Sequence, residues 1–76
     1  MNVLSEKIRY KRVCKIIEVC DTLKGKLLEF TYNMPNENKS EIINSNEMIY
    51  FYTSNGEPKY DFASKIKVGD FIIEYL

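Results

Sequence analysis

The feature that most restricts the fold is a short run of large, β-favouring residues from 47 to 53 that ends in an Asn55-Gly56 pair. Asn-Gly is the strongest short-range signal for a hairpin turn, so it predicts a strand on each side. Side chains alternate along a strand, which gives this one apolar residues on both faces. The two sets are Ile49, Phe51 and Thr53 on one face, and Met48, Tyr50 and Tyr52 on the other. Such a strand either lies deep in a small barrel or presents an aromatic face to a partner.

Length and composition predict one small domain covering residues 1–76, since 45% of its 76 residues are hydrophobic. Residues 1–7 are expected to form a flexible N-terminal arm. They lack the basic and apolar regions of a signal peptide, and no run approaches the roughly 18 apolar residues of a membrane span. We therefore expect a cytoplasmic protein with no membrane contact.

Residues 8–23 fit two structures. Their density of β-branched residues favours a strand, although the alternation breaks at Ile16 and Ile17, where a bulge is expected. The same residues also place an apolar stripe on one side of a helix over about residues 6–24, with Ser5 to cap its start and Gly25 to end it.

The next segment favours the strand. Residues 21–26 read as a turn, and residues 27–32 alternate so that Leu28, Phe30 and Tyr32 share a face. A bent first strand, a Gly turn and an alternating second strand look like the opening hairpin of an OB-type barrel. This resemblance is one of architecture and identifies no family.

The rest of the chain predicts further short elements. Residues 33–40 are polar and are expected to form a mobile surface loop. Pro58 restricts the following strand to a sheet edge or to the first position of a strand, with Tyr60 and Phe62 pointing inward. Gly69 and Asp70 predict a turn before a last strand, in which Asp70 bonds the local backbone.

The predicted fold is mainly β: a small single-domain antiparallel β-barrel, OB-like or SH3-like, with five or six short strands. The alternative is an α+β fold in which the N-terminal helix packs on an antiparallel sheet.

The residue types argue against catalysis. The chain has no His and no phosphate-binding Gly run. Cys14 and Cys20 are spaced unlike a zinc pair and are predicted to be reduced and mostly buried. Carboxylate pairs such as Glu57 and Asp61 are expected to be solvated turn residues. The sequence therefore predicts a protein that is not an enzyme and binds no metal or cofactor.

A protein-interaction module is the preferred functional hypothesis, either for a protein partner or for self-association. Tyr is frequent at protein interfaces, and a small sheet has edges that another chain can pair with. The predicted contact residues are Tyr50, Tyr52, Met48 and Tyr32.

The alternative hypothesis is an OB-like protein that binds single-stranded nucleic acid. The formal net charge is zero, but residues 1–27 carry +4 and residues 28–76 carry −4. A basic N-terminal strand beside Tyr and Phe rings would suit backbone contacts and base stacking. The predicted basic contacts are Arg9, Lys11, Arg12, Lys15, Lys24 and Lys26. A sequence pI of about 6.2 lies far from the basic value typical of such proteins.

Overall fold

The structure, a computed structural model, describes residues 8–35 and 37–75 of the chain. These residues form six strands and one short 3₁₀ turn, Ala63–Lys65, between the fifth and sixth strands. The strands are β1 (Ile8–Thr22), β2 (Gly25–Met34), β3 (Glu37–Asn44), β4 (Met48–Tyr52), β5 (Pro58–Phe62) and β6 (Phe71–Tyr75). They make one antiparallel sheet in the order β3-β2-β1-β6-β4-β5. The predicted mainly β fold is confirmed, and the predicted flexible arm, residues 1–7, lies outside the described residues.

Strand β1 joins two half-sheets because its two ends have different partners. Residues Ile8 to Arg12 pair with β6, whereas residues Arg12 to Thr22 pair with β2. We call β3, β2 and the C-terminal part of β1 the first half-sheet. The N-terminal part of β1 with β6, β4 and β5 is the second half-sheet. The alternative N-terminal helix is wrong, since residues 8–22 form a strand whose pairing with β6 and then with β2 overrides its helical periodicity.

Two register shifts interrupt β1, but neither lies at Ile16 and Ile17, where the sequence indicated a bulge. They fall between Val13 and Lys15 and between Glu18 and Cys20. Between them the alternation is regular, with Ile16 opposite the buried Phe30 and Ile17 exposed. The prediction of buried cysteines is wrong, because Cys14 and Cys20 are both exposed free thiols. An extra residue in a bulge changes which side chains face inward, so residue type alone did not identify the buried positions.

The core lies between the two half-sheets. Phe30 and Tyr32 of β2 are completely buried, and Phe51 of β4 and Ile72 of β6 lie in the same cluster. Leu28, Phe30 and Tyr32 share this inner face as predicted. Complete burial of a large apolar side chain, relative to leaving it exposed, stabilises the fold by roughly 1.5–3 kcal/mol.

The segment predicted as a loop over residues 33–40 is mostly strand. Strand β2 continues to Met34 and β3 begins at Glu37, which pairs with Met34. The loop prediction failed because β3 lies at the edge of the sheet, where polar side chains are exposed on one face without cost.

Strand β5 is an edge strand with Pro58 at its first position, as predicted. The prediction that Tyr60 and Phe62 point inward is wrong, because both are exposed on the outer face. In the hairpin register Tyr60 lies opposite Tyr50, which also faces outward. Alternation identifies residues that share a face, but only the packing shows which face is covered.

The turn before β6 confirms the predicted role of Asp70. The buried Asp70 carboxylate accepts the backbone N–H of Lys67 at 2.8 Å and that of Ser54 at 3.2 Å. These bonds attach the turn to the β4–β5 hairpin. Gly69 within the turn has a φ of 100°, which L side chains rarely adopt.

The sheet is open, with β3 and β5 at the two ends of its strand order, and apart from Arg12 the paired residues of β1 face either β6 or β2 but not both. Closure into a barrel is therefore not seen. The described part of the chain contains no helix that is long and apolar enough to span a membrane.

Candidate protein-binding surface

The outer side of the second half-sheet is covered almost entirely by apolar side chains. The pairing registers place every second residue of its four strands on this side. We call these twelve positions the aromatic face: Ile8, Tyr10 and Arg12 of β1, Phe71, Ile73 and Tyr75 of β6, Met48, Tyr50 and Tyr52 of β4, and Pro58, Tyr60 and Phe62 of β5. Arg12 is the one charged residue among them. An antiparallel sheet normally has polar residues on the side that faces water, and this side does not follow that pattern.

Four tyrosines dominate the exposed surface of the aromatic face. Their exposed fractions are 73% for Tyr75, 67% for Tyr50, 55% for Tyr60 and 51% for Tyr10. A large aromatic side chain carries about 150–250 Å², so these four rings alone expose about 500 Å². The largest apolar patch on a monomeric protein is usually about 300–600 Å². With Ile8, Met48 and Phe62 also exposed, the aromatic face exceeds that range.

Ring contacts within the aromatic face hold several of these side chains in place. Tyr50 and Tyr60 stack across the hairpin, with ring centroids 4.2 Å apart and an interplanar angle of 28°. Tyr10 contacts Tyr52 edge-on, with centroids 5.4 Å apart and an angle of 84°. Rings that are already ordered lose less conformational entropy when a partner binds.

The aromatic face contains two shallow depressions. A shallow depression of about 350 Å³ is lined by Tyr10, Tyr52, Phe71 and Gly56. A second one of about 210 Å³ lies beside it, and Tyr52 contributes to both. Depressions of this size accept single side chains of a partner, in the way that interface hot spots fill pockets.

The structure places three of the four predicted partner-binding residues on the aromatic face. Tyr50 and Met48 are exposed there, and Tyr52 is partly buried between its neighbours. Tyr32 is different, because it is completely buried in the core and cannot reach a partner in this structure. Its strand alternates between the interior and the outer side of the first half-sheet, and Tyr32 is on the interior side with Phe30.

The six predicted basic residues do not form one cationic groove. Lys11 is buried, Arg9 is paired with Glu74 at 2.8 Å, and Lys26 is paired with Glu18 at 3.3 Å. Lys24 lies in the β1–β2 turn, and Lys15 opposite Thr31 of β2 in the first half-sheet. Arg12 alone belongs to the aromatic face, where its guanidinium carbon lies 5.9 Å from the Phe71 ring centroid. Strand pairing scatters residues that are adjacent in the sequence over different surfaces.

A cluster of ionic side chains links the two half-sheets. The Lys11 ammonium donates to Glu41 at 2.9 Å and lies 4.3 Å from the Tyr32 ring centroid. The Tyr32 hydroxyl donates to the same carboxylate at 2.6 Å. Arg9 and Lys39 both donate to Glu74, at 2.8 Å and 2.6 Å. The cluster therefore connects β3 to β1 and β6.

The local charges shift several pKa values in this cluster. Hydrogen bonds from Lys39 and Arg9 lower the pKa of Glu74 from 4.5 to about 2. Burial tends to raise the pKa of Glu41, but hydrogen bonds from Tyr32 and Lys11 outweigh it and lower the value. Burial and the neighbouring Glu41 carboxylate raise the pKa of the Tyr32 hydroxyl above its ordinary value. These shifts keep the carboxylates charged and the phenol neutral, which is the arrangement of a structural ion-pair network.

The acidic residues considered as candidates for chemistry are not assembled into a site. Asp61 accepts the backbone N–H of its neighbour Phe62 at 2.7 Å, and Glu57 is exposed in the hairpin turn. Within residues 8–35 and 37–75, no three His, Cys, Asp or Glu side chains are grouped so that they could hold a metal ion.

The sequence prediction missed most of the aromatic face. Alternation over Ile8, Tyr10 and Arg12 and over Phe71, Ile73 and Tyr75 was available as a signal. It was not recognisable as one surface, because the residues come from both ends of the chain and meet only through the β1–β6 and β4–β6 pairings. No protein-family model, curated protein or solved structure matches this chain.

Proposed function

We propose that this protein is a non-enzymatic binding module whose aromatic face is the contact surface for a protein. The observation that carries the proposal is the exposure of Tyr10, Tyr50, Tyr60 and Tyr75 together on one side of a four-stranded half-sheet. Tyr is enriched at protein interfaces because its ring buries apolar area while its hydroxyl tolerates water.

The contacts around these rings support the same proposal. The Tyr50–Tyr60 and Tyr10–Tyr52 pairs pre-order the surface, and the two depressions beside Tyr52 provide places for partner side chains. Tyr residues in such settings are frequent hot spots, each worth about 2 kcal/mol or more when truncated.

The experiment compares the wild-type chain with a double variant, Tyr50→Ser with Tyr75→Ser, as immobilised baits in an extract of the native host. Both side chains are mostly exposed, so their loss should leave the fold intact. A matched control replaces two exposed apolar residues outside the aromatic face, Ile42→Ser with Val68→Ser.

Proteins retained by the wild type and by the control, but lost with the double variant, are the expected result. Equal retention by all three baits would show that the aromatic face is not the contact surface. Circular dichroism of each variant verifies that it is folded.

Single-stranded nucleic acid is the second candidate, favoured by the exposed, strand-borne tyrosine rings and by Arg12 beside them. It is weaker because the other five basic candidates lie elsewhere, and phosphate contacts supply most of the affinity for nucleic acid. Binding of a labelled oligonucleotide that weakens with salt, and is lost in Arg12→Glu, is the result this hypothesis requires. If oligonucleotide binding neither weakens with salt nor is lost in Arg12→Glu, this hypothesis is excluded.

A closed barrel of the OB-like or SH3-like kind also stays a proposal. The bent β1 and the ion pairs from β3 to β1 and β6 support strong curvature. Closure would also require β3 and β5 to approach each other.

A further inference from the structure

The occupant of the aromatic face can be argued from its area, its charge and the chemistry of the adjacent sheet edge. The inference rests on the proposed function, because it concerns the same surface. We propose that two copies of this chain pack aromatic face against aromatic face, forming an isologous dimer.

The area of the aromatic face matches what a dimer needs. A standard protein interface buries about 800 Å² on each partner. The four most exposed tyrosines provide about 500 Å² of this. Ile8, Met48 and Phe62, each about two-fifths exposed, bring the total close to that value.

The charge of the aromatic face suits a copy of itself better than a strongly charged partner. Its one charged residue, Arg12, already lies against the Phe71 ring. The whole chain has a formal net charge of zero, so two copies do not repel each other at long range. An acidic or basic partner would be matched by a set of opposite charges, and the aromatic face does not carry one.

The β5 edge of the same half-sheet is poorly suited to dimerisation by strand pairing. The backbone N–H of Thr53 donates to the carbonyl of Glu57, and that of Ala63 donates to the carbonyl of Glu47. With the β4–β5 register, these two bonds identify which pairs of the hairpin are hydrogen-bonded. By alternation, the backbones of Pro58, Tyr60 and Phe62 point away from β4, towards the edge.

Two of these three residues have no free backbone N–H to donate to an added strand. Pro58 has no N–H, and the N–H of Phe62 donates to the Asp61 carboxylate at 2.7 Å. Tyr60 is the residue of β5 that still offers a donor there. Such blunting disfavours extension of the sheet at β5, which leaves the aromatic face of this half-sheet as the contact in the proposed dimer.

Two aromatic faces would pack in the geometry of stacked β-sheets. Sheets stack face to face about 10 Å apart, with side chains from both interdigitating. Strands β6 and β4 lie in the middle of the half-sheet, so Tyr52 and Ile73 belong near the two-fold axis. Tyr75 and Tyr60 then lie closer to the rim, where water reaches their hydroxyls.

Sedimentation equilibrium of the purified chain tests the proposal over about 1–200 μM, a range that detects micromolar dissociation constants. We expect a mass approaching twice the 9.0 kDa of one chain. In the variant Tyr50→Ser with Tyr75→Ser, the dissociation constant should rise by about 100-fold or more. The control Ile42→Ser with Val68→Ser should dimerise like the wild type, and far-UV circular dichroism verifies that all three are folded.

A second variant separates face packing from pairing through the other edge strand. The Ile42 backbone in β3 points towards the free edge, so Ile42→Pro is compatible with the strand but blocks a strand added there. The dimer should persist in Ile42→Pro. If Ile42→Pro is monomeric while the tyrosine variant still dimerises, the copies pair through β3 and the proposal is wrong.

Cross-linking locates the contact directly. A benzoylphenylalanine at position 60, in a mixture of ¹⁴N and ¹⁵N chains, should give mixed-isotope cross-links to β4 or β6 of the other copy. Mixed cross-links confined to the first half-sheet would overturn the proposal.

A wild-type chain that stays monomeric throughout the concentration range would also overturn the dimer. That result alone leaves the proposed function standing, because capture of another protein by the same face is tested separately in the host extract. Equal retention there by wild type and double variant would remove the proposed function itself.

Discussion

Tyr50 and Phe51 are neighbours in the chain and have opposite environments. Phe51 is 3% exposed and lies in the core with Ile72, which it pairs with across β4 and β6. Tyr50 is 67% exposed and contacts the Tyr60 ring instead. The alternation of a strand produces this contrast, and it makes the two residues a matched pair for separating stability from binding.

Truncation of these two rings should therefore have very different costs. We expect Phe51→Ala to lower the free energy of unfolding by about 3–5 kcal/mol, since it leaves a cavity in a small core. Tyr50→Ala should cost less than about 1 kcal/mol. Urea unfolding at low protein concentration measures both without a contribution from association. Similar losses for the two variants would contradict the assignment of the faces.

Lys11 shows how a buried charge depends on its partners. Its side chain is 3% exposed, and its ammonium contacts Glu41 and the Tyr32 ring. In Glu41→Ala, the buried ammonium and the Tyr32 hydroxyl both lose their acceptor. We expect a loss of about 1–3 kcal/mol in the free energy of unfolding.

The control is Lys11→Met, which keeps the apolar stem and removes the charge. It should change stability by less than about 1.5 kcal/mol, because Met is apolar and the Glu41 carboxylate left behind is 41% exposed to water and still accepts the Tyr32 hydroxyl. The double variant should then lose less than the sum of the two single losses. Strict additivity in thermal or urea unfolding would show that the two side chains do not interact.

At the scale of the elements, turns and edges determine how the strands pair. The Asn55-Gly56 turn was recognisable in the sequence, and the structure places β4 and β5 on either side of it. The β2–β3 hairpin was not, because its polar edge strand has the composition of a loop. Faces were also ambiguous, so Tyr60 and Phe62 were expected inside although the sheet places them outside. Pairing partners decide these points, and local sequence does not contain them.

Two glycines allow a test of turn geometry. Gly56 has a φ of 86° and open space around the position of a Cβ, so Gly56→Ala meets only backbone strain. A loss of about 1 kcal/mol is expected there. Gly25 has a φ of 137°, and a Cβ would lie 2.6 Å from the Asn46 side chain and 2.9 Å from Ser45 Oγ. Gly25→Ala should therefore cost about 1 kcal/mol more than Gly56→Ala, as measured by thermal unfolding. Equal losses of stability in the two variants would show that the β1–β2 turn accommodates a Cβ at position 25 without added strain.

For the whole molecule, the ionic cluster gives the fold a dependence on pH. The pKa of Glu74 in the folded protein is about 2, below its ordinary 4.5, and the pKa of Glu41 is also lowered. A carboxyl group with a lowered folded pKa binds protons more weakly in the folded state than in the unfolded state. Its contribution to stability is complete above about pH 4.5 and is lost as the pH falls towards 2.

Thermal unfolding across pH 2–7 tests this dependence. The melting temperature of the wild type should fall between about pH 4.5 and 2. Glu74→Gln should be less stable than the wild type at pH 7 and should show a smaller fall in acid, since the titrating group is gone. The control Glu57→Gln, on an exposed turn residue, should follow the wild-type curve. Parallel curves for Glu74→Gln and wild type would contradict the role of Glu74.

The sequence by itself determined the β-rich character of the chain, the strand at residues 48–52 and the inward row of Leu28, Phe30 and Tyr32. These follow from residue preferences and alternation, which act over a few neighbouring positions. Only the tertiary structure decided that Tyr10 and Tyr75, from opposite ends of the chain, share one exposed surface with Tyr50. Long-range strand pairing assembles that surface, and it also separates the basic residues that are adjacent in the sequence. The physical reason is that local preference sets the form of a strand, whereas the face it buries depends on which strands pair with it and what packs against them.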